Sequence, residues 1–401
     1  MARAKVINVS LTMAKVRPTR ARVGAVPRYW GARPDPACCN QRRGQMSVNR
    51  VRNLCRLERG RAHRPALGLV GASLVFAAAQ TALAATQITG AGSTFDYPFF
   101  EKAFYVYNQK NPAVAVNYQA IGSGGGIQQF TAKTVDFGAT DVPMDAKELA
   151  RAKGAVLQIP ITLGGAGVAY NLPGLKKGLR LTREIVADIY LGKIAKWGDP
   201  AIAKLNPGVK LPNMAITVVH RSDGSGTTYI FTDFLSRVSP AWKQKVGTGK
   251  SVQWPAPSSV GGKGNEGVAG LVRQTPGSIG YVELAYLLQN NMAYALLQNR
   301  AGKYLFPTIA TVRAAAATKP NVSSTDFSIV DAACANCYPI SGYSWVLLYQ
   351  KPDDQTRGAM TKKIMVWLAT EAQPMAESVD YVPLPPNVQK EALKVLGEMH
   401  E

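Results

Sequence analysis

The run ITLGGAGVAYN (residues 161–171) follows Pro160 and is extended in pattern and punctuated by glycine, so the chain is expected to cross there from one domain into another. Around it, apolar patterns of two periods alternate through most of residues 87–400, the mark of an α/β protein with helices packed on sheets. On the N-terminal side, Phe100, Phe104 and Tyr107 stand at i, i+4 and i+7, and Asn111-Pro112 stops that helix. A strand over 114–121 then runs into the glycines of 122–126 and a helix over 127–133, followed by a strand over 135–139, a turn over 140–143 and a helix over 147–153. On the C-terminal side the pattern predicts a helix over 182–190, a strand over 216–220, a helix after Ser225, and strands over 277–282 and 293–297. A second crossing near 338–341 returns the chain through a strand over 343–349, and a closing helix shows Val388, Ala392, Val395, Leu396 and Met399 on one face. Two crossings imply a bilobal molecule with a cleft, domain I spanning 85–162 and 341–401 and domain II spanning 163–340.

The chain has 401 residues and a net charge of +22, which taken whole would point to nucleic acid or an anionic surface. Its distribution removes that reading: residues 1–84 hold 16 of the 47 basic residues and 2 of the 25 acidic ones, leaving 31 against 23, a net +8. Within that segment the run LGLVGASLVFAAA (residues 67–79) follows an Arg-rich stretch and precedes Ala82-Leu83-Ala84, the order of a secretory signal peptide. It is shorter than the ~20 apolar residues of a bilayer span. Residues 46–84 are therefore expected to be a signal peptide cleaved near Ala84, giving a periplasmic product, and residues 1–45, upstream of Met46, an over-extended start.

Cys38, Cys39 and Cys55 fall in the discarded part, so Cys334 and Cys337 remain as an isolated C-A-N-C pair. In an exported protein a short disulfide is the expected reading, against a redox motif or half a zinc site. Only His220 and His400 accompany them beyond residue 84, too few for a metal cluster.

Three loops share one composition, each just before a predicted helix: GAGST (residues 90–94), GSGGG (122–126) and DGSGT (223–227). Helix N-termini expose unpaired N–H groups and the positive end of the dipole, glycine admits an oxyanion to the backbone, and Ser or Thr adds a hydroxyl. Each loop alone reads as well as a capped turn. No Gly-Lys-Ser or Gly-Lys-Thr follows any of them, which argues against a nucleotide site. Arg221 stands four residues before Ser225, where its guanidinium could fork onto an oxyanion or merely pair with Asp223 at the surface.

GAGSTF (90–95), IGSGGG (121–126), VDFGATDVP (135–143) and RSDGSGT (221–227) resemble the ligand loops of the phosphate-binding protein of high-affinity phosphate ABC transporters. IYLGKIAKWGDPAIAKLNPG, GGKGNEG and GSIGYVE are similar to that family as well, so the likeness spans 88–400. The resemblance implies a type II periplasmic-binding-protein fold that closes over phosphate and delivers it to the permease subunits and ATPase of a membrane importer. It also implies a monomer that works without cofactor, metal, catalysis or nucleic acid. It makes Thr94, the Phe95 N–H and Ser123 ligand donors from the first domain, and Arg221, Ser225, Gly226 and Thr227 donors from the second, with Asp223 orienting Arg221. Ser93, Ser222 and His220 depart from the pattern the family leads one to expect, and the Cys334–Cys337 pair is not something it requires.

The resemblance also places Asp141 in the site. An ionised carboxylate only accepts, so it repels an anion that brings no proton; phosphate carries one and sulfate does not. Asp141 otherwise reads as the cap of a turn before Pro143. Sulfate and molybdate carriage are thereby disfavoured, whereas arsenate, with the same charge and protonation, is not. A phosphatase using these loops lacks metal ligands, and Ser225 has no credible general base. A surface-adhesive role that captures phosphate only for scavenging is the remaining alternative.

Overall fold

Each parallel strand at the start of the chain delivers a loop to the same edge of a sheet. The computed structural model describes residues 85–400; the expected over-extended start and signal peptide lie outside the described residues. The first elements are β1 (Thr86–Gly92), α1 (Tyr97–Lys110), β2 (Val114–Ala120), α2 (Ser123–Thr131), β3 (Phe137–Thr140) and the short α3 (Ala146–Leu149). β1 pairs parallel with β2, from Thr86↔Val114 to Gly92↔Ala120, and with β3. Parallel neighbours need crossovers, and α1 and α2 supply them.

β4 (Val156–Tyr170) is the expected first crossing, a single strand of 15 residues. Its first part pairs antiparallel with β12 (Ser341–Tyr349), and its last five residues with β8 (Ser278–Glu283). Every residue from Ile159 to Tyr170 is buried, which is why the run reads as nearly continuous apolar sequence: a strand covered on both faces loses its alternation. Strand order runs β2-β1-β3-β12-β4-β8-β6-β7, where β6 is Thr217–Arg221 and β7 is Ser259–Gly262. β6 pairs parallel with β7 and β8. The two α/β lobes thus share β4, and β12 carries the chain back.

In the second lobe α4 (Arg183–Tyr190), capped by Thr182, α5 (Pro200–Leu205), α6 (Gly226–Val238), α7 (Pro240–Lys245), α8 (Gly264–Gln274), α9 (Leu284–Gln289) and α10 (Ile309–Ala317) surround the strands. Aromatic rings fill its core, with Phe231 stacked on Tyr281 at 4.3 Å and Trp197 and Trp242 fully buried. In the first lobe Phe100 meets Tyr118 edge-on at 5.0 Å. After α11 (Gln355–Ala369) comes the closing helix α12 (Pro386–Gly397), of which Val388, Ala392 and Leu396 are buried, with Met399 beyond it, and Val395 half-buried.

Three expected boundaries are corrected. α2 begins at Ser123 rather than residue 127, taking in the glycines. The helix expected over 147–153 is one turn, closed by the capping box of Asp145 and Glu148. The strand expected over 293–297 is two pieces, β9 (Ala293–Tyr294) on β4 and β10 (Leu296–Gln298) between β5 (Arg180–Leu181) and β11 (Tyr304–Leu305), because the chain changes partner: Ala295 N–H still donates to Val168 O, whereas Leu296 N–H donates to Leu179 O. Just before β12 the structure joins Cys334 to Cys337, and Asn299 Nδ2 donates to the carbonyls of Cys334, Ala335 and Cys337.

Candidate anion-binding site

The C-terminal ends of β1, β2, β3 and β6 converge where the order of strands changes lobe, the position at which open α/β sheets bind ligands. From these ends come Ser93 and Thr94, Ser123, Asp141, and Arg221 with Ser225. The backbones meet directly: Gly124 N–H donates to Gly224 O at 2.8 Å. Gly122 has φ 89, and a Cβ there would lie 2.0 Å from Asp223 Oδ2; one on Gly226 would lie 2.5 Å from the Asp141 Cβ. No side chain larger than hydrogen fits at either place.

Thr94, Ser123, Asp141, Arg221, Ser225 and Thr227 are between 0 and 4 % exposed, so each polar group needs a partner. The partners share a pattern. Thr94 Oγ1 accepts from the N–H and Nδ2 of Asn265 at 3.0 and 2.9 Å. Ser123 Oγ accepts from Gly226 N–H at 3.0 Å and Asp141 N–H at 3.3 Å. Ser225 Oγ caps α6 by accepting from Thr228 N–H at 3.0 Å. Thr227 Oγ1 accepts from Asn265 Nδ2 at 3.2 Å and Arg221 Nη1 at 3.4 Å. A hydroxyl that already accepts offers its neighbours chiefly its hydrogen. Four hydroxyls are therefore set as donors, Ser123 at the start of α2, Ser225 and Thr227 at the start of α6, and Thr94 on the loop before α1.

Arg221 is the cation of the group. Its Nε and Nη2 donate to Asp223 at 2.8 and 2.5 Å, a bidentate pair that leaves Nη1 to reach Thr227 Oγ1 at 3.4 Å. Burial opposes the guanidinium's charge, but the hydrogen bonds and charge of Asp223 more than offset it and its pKa is raised. Asp223 is held in turn by Gly264 N–H at 3.1 Å. Asp141 is the facing acceptor: Oδ1 accepts from Ser93 Oγ and from Ser344 Oγ at 3.0 Å, while Oδ2 has only a 3.4 Å contact from Thr227. Burial pushes its pKa up to about 6 against the lowering effect of those hydroxyls and Arg221.

Phe95 is buried with its N–H donated to Ser93 Oγ at 2.8 Å and its carbonyl taken by Tyr381 OH. His220 lies off the site, its ring stacked on Trp254 at 4.9 Å. Four residues that sequence reasoning gave no role also belong here. Asn265 sits in GGKGNEG, a segment noted only for its family likeness. Tyr286 OH donates to Thr94 O at 2.6 Å. Asp96 stands at the N-cap of α1 yet makes no cap hydrogen bond; its Oδ2 lies 2.6 Å from Ser344 Oγ.

Helix-tipped loops from two lobes, converging on one acceptor and one paired cation, define a protein of the periplasmic-binding class. A family model described as a PBP superfamily domain matches residues 77–371. The chain is 46% identical over 308 residues to the phosphate-binding protein PstS of Xylella fastidiosa (strain Temecula1), covering 76% of this chain and 83% of that protein. It is 47% identical over 307 residues to the phosphate-binding protein PstS of Pasteurella multocida, covering 76% and 88%. The phosphate-binding protein of Stenotrophomonas maltophilia, at 19% identity, superposes with a TM-score of 0.59 over 77% of this chain and 93% of that one, a likeness of fold. The chain belongs to the PstS family of periplasmic phosphate-binding proteins, and its fold is the type II periplasmic-binding-protein fold expected from the sequence. Membership makes it a binding protein, not an enzyme.

Proposed function

We propose that this chain binds one inorganic phosphate between its lobes and passes it to the permease subunits and ATPase of a phosphate importer. The observation that carries the reading is the arrangement of four donor hydroxyls and a paired arginine around a single buried acceptor. A tetrahedral oxyanion needs many donors, and one that still bears a proton needs one acceptor. Thr94 and Ser123, from domain I (85–162 and 341–401), and Arg221, Ser225, Gly226 and Thr227, from domain II (163–340), are the proposed donors. Phe95 N–H joins them by leaving Ser93. Asp141 Oδ2 takes the ligand's proton, and Asp223 holds Arg221 in place. The product is exported and cleaved near Ala84, and it works as a monomer.

Equilibrium dialysis of protein freed of bound ion against radiolabelled phosphate tests this. One phosphate per chain, displaced by arsenate but not by sulfate, is the expected result; a folded protein that retains no label would end the reading. Loss of cellular phosphate uptake on removing the protein separates import from surface scavenging.

A further inference from the structure

Ser344 Oγ touches two carboxylates at once: Asp96 Oδ2 at 2.6 Å and Asp141 Oδ1 at 3.0 Å. A hydroxyl has one hydrogen and cannot satisfy two ionised oxygens, so a further proton must sit on one of the two acids. Asp141 has the better claim to the charge, because Ser93, Thr227 and Arg221 all favour its ionised form. Asp96 is fully buried and has only Ser344 and Tyr118 as side-chain partners, and Tyr118 OH, 3.3 Å away, also donates to Ser93 O at 2.8 Å. The other titratable groups around it are Asp141 from the turn after β3, Tyr286 from α9 and Tyr381 from the C-terminal segment, none of them a cation. Burial, followed by the charge of Asp141, holds its pKa well above the usual carboxylate range.

We propose that Asp96 is a positioning residue that keeps its carboxylic proton, donates it as a hydrogen bond to Ser344, and through the Ser344 hydroxyl keeps Asp141 ionised and ready to accept. The inference rests on Asp141 being the phosphate acceptor. A helix-capping aspartate would need no proton, but this one stands at the N-cap of α1 without capping it. No proton is consumed in this arrangement: Asp96 O–H points to Ser344 Oγ, and Ser344 O–H points to Asp141 Oδ1. Ionising Asp96 reverses the Ser344 hydrogen, removes one donor from Asp141 and brings a second negative charge beside the anion.

The test has two arms on the exported protein. Infrared difference spectra of ligand-free wild type against Asp96→Asn should show the carbonyl band of a protonated acid lost in the variant, with a shift of that band in Ser344→Ala. Glu283, a second buried acid, is common to all three proteins and cancels. Phosphate titrations carried up through the pH at which the wild-type acid band disappears should show wild-type affinity falling across that step roughly tenfold more than that of Asp96→Asn, as expected for one lost unit of interaction. Ser344→Ala should bind more weakly at neutral pH and lose the alkaline fall that distinguishes wild type from Asp96→Asn. If the acid band survives in Asp96→Asn, or the wild-type and Asp96→Asn pH profiles run parallel, the proposal is overturned. Should Asp96→Asn not fold, the band shift in Ser344→Ala decides, its absence counting against the proposal. Failure of wild type to bind phosphate at all would sink the functional reading while leaving the infrared arm to judge the proton on Asp96.

Discussion

Asn265 grips Thr94 twice, through its main-chain N–H at 3.0 Å and its Nδ2 at 2.9 Å, so that a residue of the second lobe fixes which way a hydroxyl of the first lobe points. The same Nδ2 reaches Thr227 Oγ1 at 3.2 Å, and Asn265 Oδ1 accepts from Glu283 N–H at 3.0 Å. One amide thereby orients two of the proposed donors.

Replacing Asn265 by Asp puts an acceptor where both hydroxyls need a donor. Two hydroxyl hydrogens would turn toward the new carboxylate and away from the ligand. Phosphate affinity should fall by roughly 100-fold or more, the scale of about 3 kcal/mol for a buried charged acceptor in place of a donor. Calorimetry reads this directly, and an Asn265→Asp protein with wild-type affinity would show that Thr94 and Thr227 are not ligand donors.

Asp223→Ala strips the buried Arg221 of both its short hydrogen bonds, and Asp223 is itself mostly buried. An uncompensated buried guanidinium costs about 3 kcal/mol. Urea unfolding should register that loss in phosphate-free buffer. Excess phosphate should recover part of it, because the anion offers Arg221 a second partner and stabilises the native state by mass action. Equal destabilisation with and without phosphate would place Arg221 outside the ligand's reach.

Glu283 is fully buried beside Tyr381, with Oε2 accepting from Ala285 N–H at 2.7 Å and lying 3.0 Å from Tyr381 OH. Burial raises its pKa well above that of an unfolded glutamate. The folded protein then holds a proton that the unfolded chain releases, so stability falls as pH rises from about 4.3, by about 1.4 kcal/mol per pH unit, until the folded acid itself titrates. Glu283→Gln removes that dependence. Its stability relative to wild type should climb between about pH 4 and pH 7 in urea titrations, and parallel curves would mean Glu283 is ionised in the fold.

Lys250 Nζ of the second lobe lies 2.5 Å from Glu148 Oε2 of the first, both largely sheltered. The pair spans the lobes that must part for release. Glu148→Gln should speed phosphate dissociation in stopped-flow by roughly fivefold, equivalent to about 1 kcal/mol, with the difference shrinking in high salt. A salt-independent change would assign the effect to packing.

Where local chemistry decides, the sequence could be read directly. Ser225 caps the helix predicted to follow it, Thr182 caps the helix predicted to begin at it, and all but the last residue of the run 161–171 lies within one long strand. Asp96 and Ser344 lie 248 residues apart and carry no local sign of their contact; Asp96 imitates an ordinary cap. The early start of α2 was hidden because Gly124, Gly125 and Gly126 are poor helix formers. Their glycines answer to a distant surface, since a Cβ on Gly124 would press within 3.0 Å of Gly224 Cα. Asn265 was in view as part of a motif, but its role depends on Thr94, 171 residues away.

Asp141 Oδ2, 3.4 Å from Thr227 Oγ1, is the acceptor proposed for the ligand's proton. Calorimetric titration of ion-free wild type and Asp141→Asn with phosphate and then sulfate tests it most directly. Tight one-to-one phosphate binding and no sulfate binding are expected in wild type, with sulfate binding gained in the variant, whose amide can donate to an unprotonated oxyanion. Sulfate binding by wild type, or a variant that rejects sulfate as wild type does, would contradict it.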